Sequence, residues 1–379
     1  MHNLSPVYKQ KPISSIDALC RLLQVEQRDL LSLAEKSNSH YFKKTVEKSG
    51  SKPRVTYKAS PKLRPILDSL KDRVFSCVSF PAYIAAGQLG KSYVANAESH
   101  IGAKMLMSED IKDFFPSITQ SQVENVYKHF FKFAPDVSLL LSELCTKDGK
   151  LVQGSPLSGY LANLVFFREE HSIVASCIEH GLHYTRYYDD IHISSCQPFY
   201  EEVHDLKQQL YGMMGRVGVS PHRSPKKCNI KLSNTRLDVH DVTINSHKTS
   251  PSRKRVSKVR NLLFNFNNCV SSGCNIETLV KQYRSILGHI NTLQQQGYSK
   301  SKTLKKELRE AVHHIDEKSA KKYARGYRKV KNSKEFKAFS LKASILKRIN
   351  GRVASVINAE HDAAKKKLER NKASRKPTS

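Results

Sequence analysis

Apolar residues recur along this chain in blocks whose period switches between helical and strand-like. Ile16, Leu19, Leu22, Leu23, Val25, Leu30, Leu31 and Leu33 predict two short helices within residues 14–37, the second opening near Gln27. Ser49-Gly50-Ser51-Lys52 predicts a turn and Pro53 to Lys58 a strand, followed by a loop through Ser60-Pro61 and an amphipathic run from Leu63-Arg64. Residues 93–107 lead into Lys104-Met105-Leu106-Met107, a buried-strand pattern that delivers Glu109-Asp110-Ile111-Lys112-Asp113-Phe114-Phe115-Pro116-Ser117. Ser121-Gln122-Val123-Glu124 fits a capping box, and Val123, Tyr127, Phe130 and Phe131 follow along one helical face as core. At residues 151–166, Gly154 permits close backbone approach and Pro156 suits a first helical turn, before Leu161, Leu164 and Val165 turn inward.

The stretch Tyr184 to Ser194 reads as a hairpin, with β-favouring residues on both sides of Asp189-Asp190 at its turn. Glu201 to Val217 is a long helical pattern, Asp238 to Asn245 alternates like a strand, and the chain from Ser252 onward is helical. Val256, Val259, Leu263 and Phe266 make one apolar stripe there; Ile345, Ile349, Val353 and Val356 make a later one. Hydrophobicity then falls, and residues 366–379 are expected to be a basic tail without fixed structure. No internal repeat is present.

A chain of 379 residues with 39% hydrophobic content is long enough for two or three packed lobes that need no covalent staples. No stretch reaches the roughly 18 continuous apolar residues of a membrane span, and the first residues lack a secretory signal, so a cytoplasmic protein without membrane contact is expected. The eight cysteines are scattered; Cys269 and Cys274 lack zinc-site spacing, which leaves reduced, mostly buried thiols.

Charge changes the picture more. The formal net charge is +30, and residues 1–220 hold 26 Lys+Arg against 23 Asp+Glu whereas residues 221–379 hold 38 against 11. Basic residues concentrated in this way predict phosphate neutralisation, hence a nucleic-acid partner rather than an acidic membrane surface, for which an amphipathic anchor rich in Trp or Phe is lacking. Arg253, Lys254, Arg255 and Lys258, on the first turns of this region, are candidate RNA contacts.

Against that background the acidic residues acquire a purpose. Asp110 ends a strand and Asp189-Asp190 occupy a hairpin turn, so one sheet can bring three carboxylates to one point, where they repel unless cations neutralise them. Two Mg²⁺ ions about 4 Å apart would do so and would serve phosphoryl transfer. Arg54 and Arg64 bracket a strand and turn as a candidate clamp for a triphosphate.

The motifs Asp110-Ile111-Lys112-Asp113-Phe114-Phe115-Pro116-Ser117, Gln153-Gly154-Ser155-Pro156-Leu157-Ser158 and Tyr187-Tyr188-Asp189-Asp190 resemble, in this order, the palm motifs of reverse transcriptases, over roughly residues 50–290. The resemblance implies an α+β right-hand fold: N-terminal helices and fingers in 1–100, a palm of antiparallel sheet with helices on one face in 101–250, and a basic helical thumb in 251–365. It implies metal binding by Asp110, Asp189, Asp190 and the Ile111 carbonyl, a sugar-discriminating Phe115, and nucleotide positioning by Gln153 and Gly154. It also implies triphosphate contact by Arg54 and Arg64, and a candidate general acid in Lys227 near the pyrophosphate.

Asn96-Ala97-Glu98-Ser99-His100 further resembles the NAxxH signature of bacterial retron reverse transcriptases, which makes Asn96 and His100 candidate RNA contacts. Two departures stand out. Val239-His240-Asp241 replaces the common Val-Thr-Gly triplet, and Tyr188 stands where Ala is commoner. The retron resemblance implies deoxynucleotide triphosphates as substrates and a cognate structured non-coding RNA as template. It further implies priming from an RNA 2′-OH, a branched RNA–DNA product (msDNA), and a separate effector protein in antiphage defence. Another bacterial reverse transcriptase, of the group II intron or stand-alone defence kind, and a non-catalytic RNA-binding scaffold are the alternatives.

Overall fold

The computed structural model describes residues 4–46, 53–225 and 227–373, which fold into two compact units, residues 1–248 and 249–379. In the first unit the helices Ile16–Leu23 and Gln27–Glu35 form where the leucine spacing predicts them, and Leu19, Leu23, Leu30 and Leu33 are buried. Strands β1 (Tyr41–Val46) and β2 (Arg54–Ala59) pair antiparallel as a largely exposed ribbon. The turn expected at Ser49 to Lys52 lies outside the described residues.

The centre of the unit is a four-stranded antiparallel sheet of β3 (Met105–Asp110), β4 (His183–Tyr187), β5 (Asp190–Ser195) and β6 (Asn229–Leu232), in the spatial order β6-β3-β5-β4. Every residue of β3 is buried, because it lies between two neighbours and both of its faces are covered. Side chains alternate across a strand, so the faces differ in chemistry. Met105, Met107, Ile191 and Ile193 enter the main hydrophobic core. On the opposite face Leu106 joins a small cluster with Ala97, Val239 and Val242, beside a polar layer of Ser108, His192 and Ser194. Over that second face pack the short helix Tyr93–Glu98 and the ribbon β7 (Asp238–Val239) and β8 (Val242–Thr243).

The local chemistry corrects three expectations. The capping box lies two residues earlier than expected: Thr119 is the N-cap and Gln122 its reciprocal partner, since the chain leaves the Phe114–Ser117 turn in extended conformation at Ile118. Pro156 precedes rather than opens its helix, which runs from Ser158 to Leu164. Asp238 to Asn245 is not one strand, because His240 and Asp241 adopt left-handed φ of 53° and 62° and fold the segment back on itself.

The second unit is helical apart from the two-residue strand Ser250–Pro251, and its first helix, Arg253–Ser271, is capped by Ser252 Oγ accepting from Arg255 N at 3.2 Å. Its core contains the expected stripe residues Val259, Leu263 and Phe266. The later stripe is split between two helices: Ile345 closes Ser333–Leu346, Ile349 lies in the turn, and Val353 belongs to Gly351–Ala373. That last helix continues through the first residues of the expected tail; residues 374–379 lie outside the described part. Among the described residues no helix is long and apolar enough to cross a membrane.

One buried ion pair ties the central sheet to its helices. Arg186, fully buried on β4, donates from Nε to Glu170 Oε1 at 2.5 Å and from Nη2 to Glu170 Oε2 at 2.8 Å. Its remaining donors reach Asn163 O at 3.1 Å and Tyr188 O at 3.2 Å. Burial opposes the charge on Arg186, and the Glu170 carboxylate overcomes that opposition and keeps the guanidinium protonated. Glu170→Gln, which strands the buried cation, is expected to cost the first unit about 3–5 kcal/mol in denaturant unfolding. A loss below about 1 kcal/mol would show that Arg186 is compensated by its neutral partners alone.

Candidate active site

Antiparallel register brings the three aspartates together. Asp110, the last residue of β3, pairs directly with Asp190, the first of β5. The turn between β4 and β5 is Tyr188-Asp189, closed by the Tyr187–Asp190 pair, and Asp189 O accepts from Ile111 N at 2.9 Å. Two carboxylates are thus opposite one another on adjacent strands, and the third follows at the turn.

Electrostatic consequences follow. Lys227 Nζ donates to both Asp110 oxygens, at 2.9 and 2.7 Å. Burial raises the Asp110 pKa above its ordinary value, with the charge on Asp190 adding to it, although Lys227 pulls the other way. Asp189 is pushed up to about 6 by burial and by the neighbouring Asp190 and Asp110. Burial would raise Asp190 too, but His240, with Nδ1 3.4 Å from Asp190 Oδ2, more than offsets it and holds the group below the usual range. One site therefore holds two carboxylates shifted up and one shifted down.

Hard oxygen donors of this kind suit Mg²⁺ or Mn²⁺. Among the described residues no three His, Cys, Asp or Glu side chains already surround one point as an ion cage. The cation that Asp110 faces here is the Lys227 ammonium, a stand-in for the positive charge the cluster demands. Asp110, Asp189 and Asp190 bring together the hard oxygen donors that a divalent ion takes.

Beside the aspartates lies a cleft of about 670 Å³ whose walls include Arg54, Ile111, Phe115, Gln153, Asp189 and Lys227. Six of the sequence-predicted residues therefore share one cavity. Gln153 O accepts from Tyr57 N at 2.8 Å, which fastens this loop to β2. At Gly154, with φ of 110°, a Cβ would stand 2.7 Å from Tyr57 O, so the close approach that this glycine permits is to the chain's own backbone. Arg64 does not join the cleft: it lies on the helix Leu63–Arg73 and donates from Nε to Asp68 Oδ2 at 2.7 Å.

The Asn96 and His100 expectation needs correction. His100 is 1% exposed, and its two ring nitrogens meet Ser194 Oγ at 2.7 Å and Thr185 Oγ1 at 2.8 Å on the second face of the sheet. It is spent on holding strands β4 and β5, and burial lowers its pKa well below the ordinary value. Asn96, also buried, places Nδ2 2.9 Å from His240 Nε2. Neither side chain presents a surface to RNA in this fold. Arg253, Lys254 and Lys258 are exposed on the first helix of the second unit, and Arg255 is half-buried there.

Sequence reasoning missed several groups. Lys147, Lys150, Tyr57 and His222 also line the cleft. The Lys147-Asp148-Gly149-Lys150 hairpin carried a usable signal, since Asp-Gly supplies the two left-handed turn residues that join Thr146–Lys147 to Lys150–Leu151. His240 was visible only as a departure; its place beside Asp190 comes from the tertiary fold.

The architecture mixes helix and sheet, and sequence comparison finds retron reverse transcriptases among the proteins this chain is similar to. No family model matches the chain. It is 31% identical to the retron Se72 reverse transcriptase of Salmonella heidelberg over 240 residues, which span 61% of this chain and 63% of that enzyme, less than two thirds of its length. It is 26% identical to the retron Ec48 reverse transcriptase of Escherichia coli over 81% of this chain and 79% of the relative. The retron Ec86 reverse transcriptase of Escherichia coli matches at 26% over 65% and 77%. The relatives named here are retron reverse transcriptases, and this chain is similar to them over 61–81% of its own length.

The shift at Asp189 sets a pH dependence. Its folded pKa of about 6 lies above its ordinary value of 3.8, so the folded state holds the proton more tightly than the unfolded chain. The resulting stabilisation is complete below 3.8 and lost as the pH rises through about 6. In chelator, Asp189→Asn should therefore melt higher than the parent above pH 6, with the advantage vanishing towards pH 4. Parallel pH profiles for the two proteins would exclude repulsion among these carboxylates.

Proposed function

We propose that this chain is an RNA-directed DNA polymerase of the retron type. The observation that carries the reading is the register pairing of Asp110 with Asp190, with Asp189 at the adjoining turn, on the wall of a cleft shared with Arg54, Phe115, Gln153 and Lys227. Residues 101–250 would be the palm, the ribbon of β1 and β2 with the N-terminal helices the fingers, and the basic helical unit from residue 251 the thumb.

Mg²⁺ held by Asp110, Asp189, Asp190 and the Ile111 carbonyl would supply activation of the attacking hydroxyl and neutralise charge on the triphosphate. The chain's own groups do the positioning. Phe115 bars a ribose 2′-OH by steric contact, and Gln153 and Gly154 form the floor under template and incoming nucleotide. Arg54 in the cleft holds triphosphate oxygens. Lys227, on the wall of the cleft, donates a proton towards the departing pyrophosphate.

The template is a cognate structured non-coding RNA, primed from one of its own 2′-OH groups, and the product is branched msDNA made from deoxynucleotide triphosphates. A separate effector protein completes an antiphage module. The second unit grips duplex through phosphates and shape, as the narrow major groove of an A-like helix hides base edges from side chains.

Co-expression with the RNA encoded beside the gene should give RNA-linked DNA. Asp110→Asn and Asp189→Asn should each reduce it by about a thousandfold or more, with the double variant no worse than either, since the carboxylates act as a unit. Wild-type synthesis by Asp189→Asn would overturn the catalytic assignment, and recovery of an intron or of unrelated transcripts would exclude the retron subclass.

RNA affinity should fall steeply with salt. Replacing Arg253, Lys254, Arg255 and Lys258 by Ala should reduce the slope of log K against log salt by up to about 3, at 0.7–0.9 per phosphate contact. An unchanged slope would remove these residues from the interface.

A further inference from the structure

The residue before Asp189 has no part in the reading above. Tyr188 has φ of 57°, a left-handed conformation that bulky residues rarely adopt. The Tyr187–Asp190 pair and the Arg186 guanidinium on its carbonyl hold it there. The ring is half-buried and packs against the main core.

Two glycines make room for it. A Cβ at Gly87 would lie 2.8 Å from Tyr188 Oη and 3.3 Å from Cε1; one at Gly159 would lie 2.8 Å from Oη and 3.2 Å from Cε1. Gly87, with φ of 74°, needs to be glycine for its backbone alone. Gly159 does not: it sits inside the helix Ser158–Leu164 with ordinary backbone, where glycine costs roughly 0.5–1 kcal/mol relative to Ala. The Tyr188 ring supplies the reason for its missing side chain.

The loop carrying Gly87 is fastened to the same hairpin. Ala85 N donates to Arg186 O at 2.8 Å, and Asn163 Nδ2 donates to Ala86 O at 2.9 Å. The slot therefore has a fixed wall on each side.

From this slot Tyr188 meets Phe115, with ring centroids 5.6 Å apart and planes at 60°. Phe115 lines the cleft and Tyr188 does not. We propose that Tyr188 is a positioning residue for sugar selection, a wedge between Gly87 and Gly159 that backs the Phe115 ring and keeps it from receding when a ribonucleotide enters. This rests on the reading of Phe115 as the sugar gate. A steric gate rejects one extra hydroxyl only if its own ring cannot yield, and a close-packed backing supplies that resistance. Tyr188 acts through Phe115, since the Phe115 ring and not its own lines the cleft.

The test measures GTP against dGTP incorporation opposite template C by the full chain on a primed RNA template, as a ratio of kcat/KM values that is independent of the folded fraction. Phe115→Ala, the control, should raise relative GTP use by roughly 10–100-fold. Tyr188→Ala should raise it too, by a smaller factor of roughly tenfold, through relaxation of Phe115. Tyr188→Phe, which keeps the ring, should leave the ratio at the parental value.

Gly159→Ala pushes the wedge from the other side and should also raise the ratio. Adding Tyr188→Phe to it removes the 2.8 Å collision and should bring the ratio back towards the parent. That pair decides the matter if Tyr188→Ala makes no DNA. A raised ratio in Phe115→Ala with parental ratios in Tyr188→Ala and Gly159→Ala would overturn the wedge and spare the gate. A parental ratio in Phe115→Ala would overturn the gate itself.

Discussion

Like charges brought together by strand register are the constraint on which the rest of this structure depends. An antiparallel pair in which Asp110 faces Asp190 leaves little freedom to move the carboxylates apart, and burial of Asp189 at the turn adds a third. The surroundings answer each one differently. Lys227 donates to both carboxylate oxygens of Asp110, and His240 approaches Asp190 from the ribbon on the second face. Among the described residues Asp189 receives no such partner, and its pKa rises to about 6. The site is electrostatically incomplete on its own and suited to divalent cations.

Holding such a turn requires a rigid frame behind it, and the frame is polar. Arg186 occupies the centre of the main core with Glu170 as its counter-ion, and its remaining donors fix the Tyr188 carbonyl and the Ser158–Leu164 helix. On the other face, His100 clamps Thr185 to Ser194 across β4 and β5. Asn96 steadies His240, which in turn faces Asp190. Asn96 and His100 thus support the aspartate-bearing sheet from its second face. The His240 departure is absorbed into the same support, because left-handed backbone at positions 240 and 241 directs the imidazole back to the sheet.

Much of this could be read from sequence, for reasons that are local. The leucine spacing of the first two helices, the apolar run of β3, the hairpin around Asp189-Asp190 and the helical run after Ser252 depend on near neighbours and formed as expected. The segment 238–245 misled because alternation signals a strand whether or not two residues in its middle take positive φ. Thr119 was overlooked as a cap because its role depends on where the preceding turn ends.

The sequence by itself singled out the residues proposed to carry the chemistry, namely the aspartates, Phe115, Gln153 and Lys227, and a basic helical C-terminal part. Those properties reside in residue type and order. Only the tertiary structure decided what each residue faces. It turned His100 inward because both ring nitrogens find hydroxyls on the sheet, and it left Arg64 on Asp68 outside the cleft. It also set Tyr188 between two glycines 72 residues apart in sequence, 87 and 159, a slot that no local pattern records because its walls are backbone from separate segments.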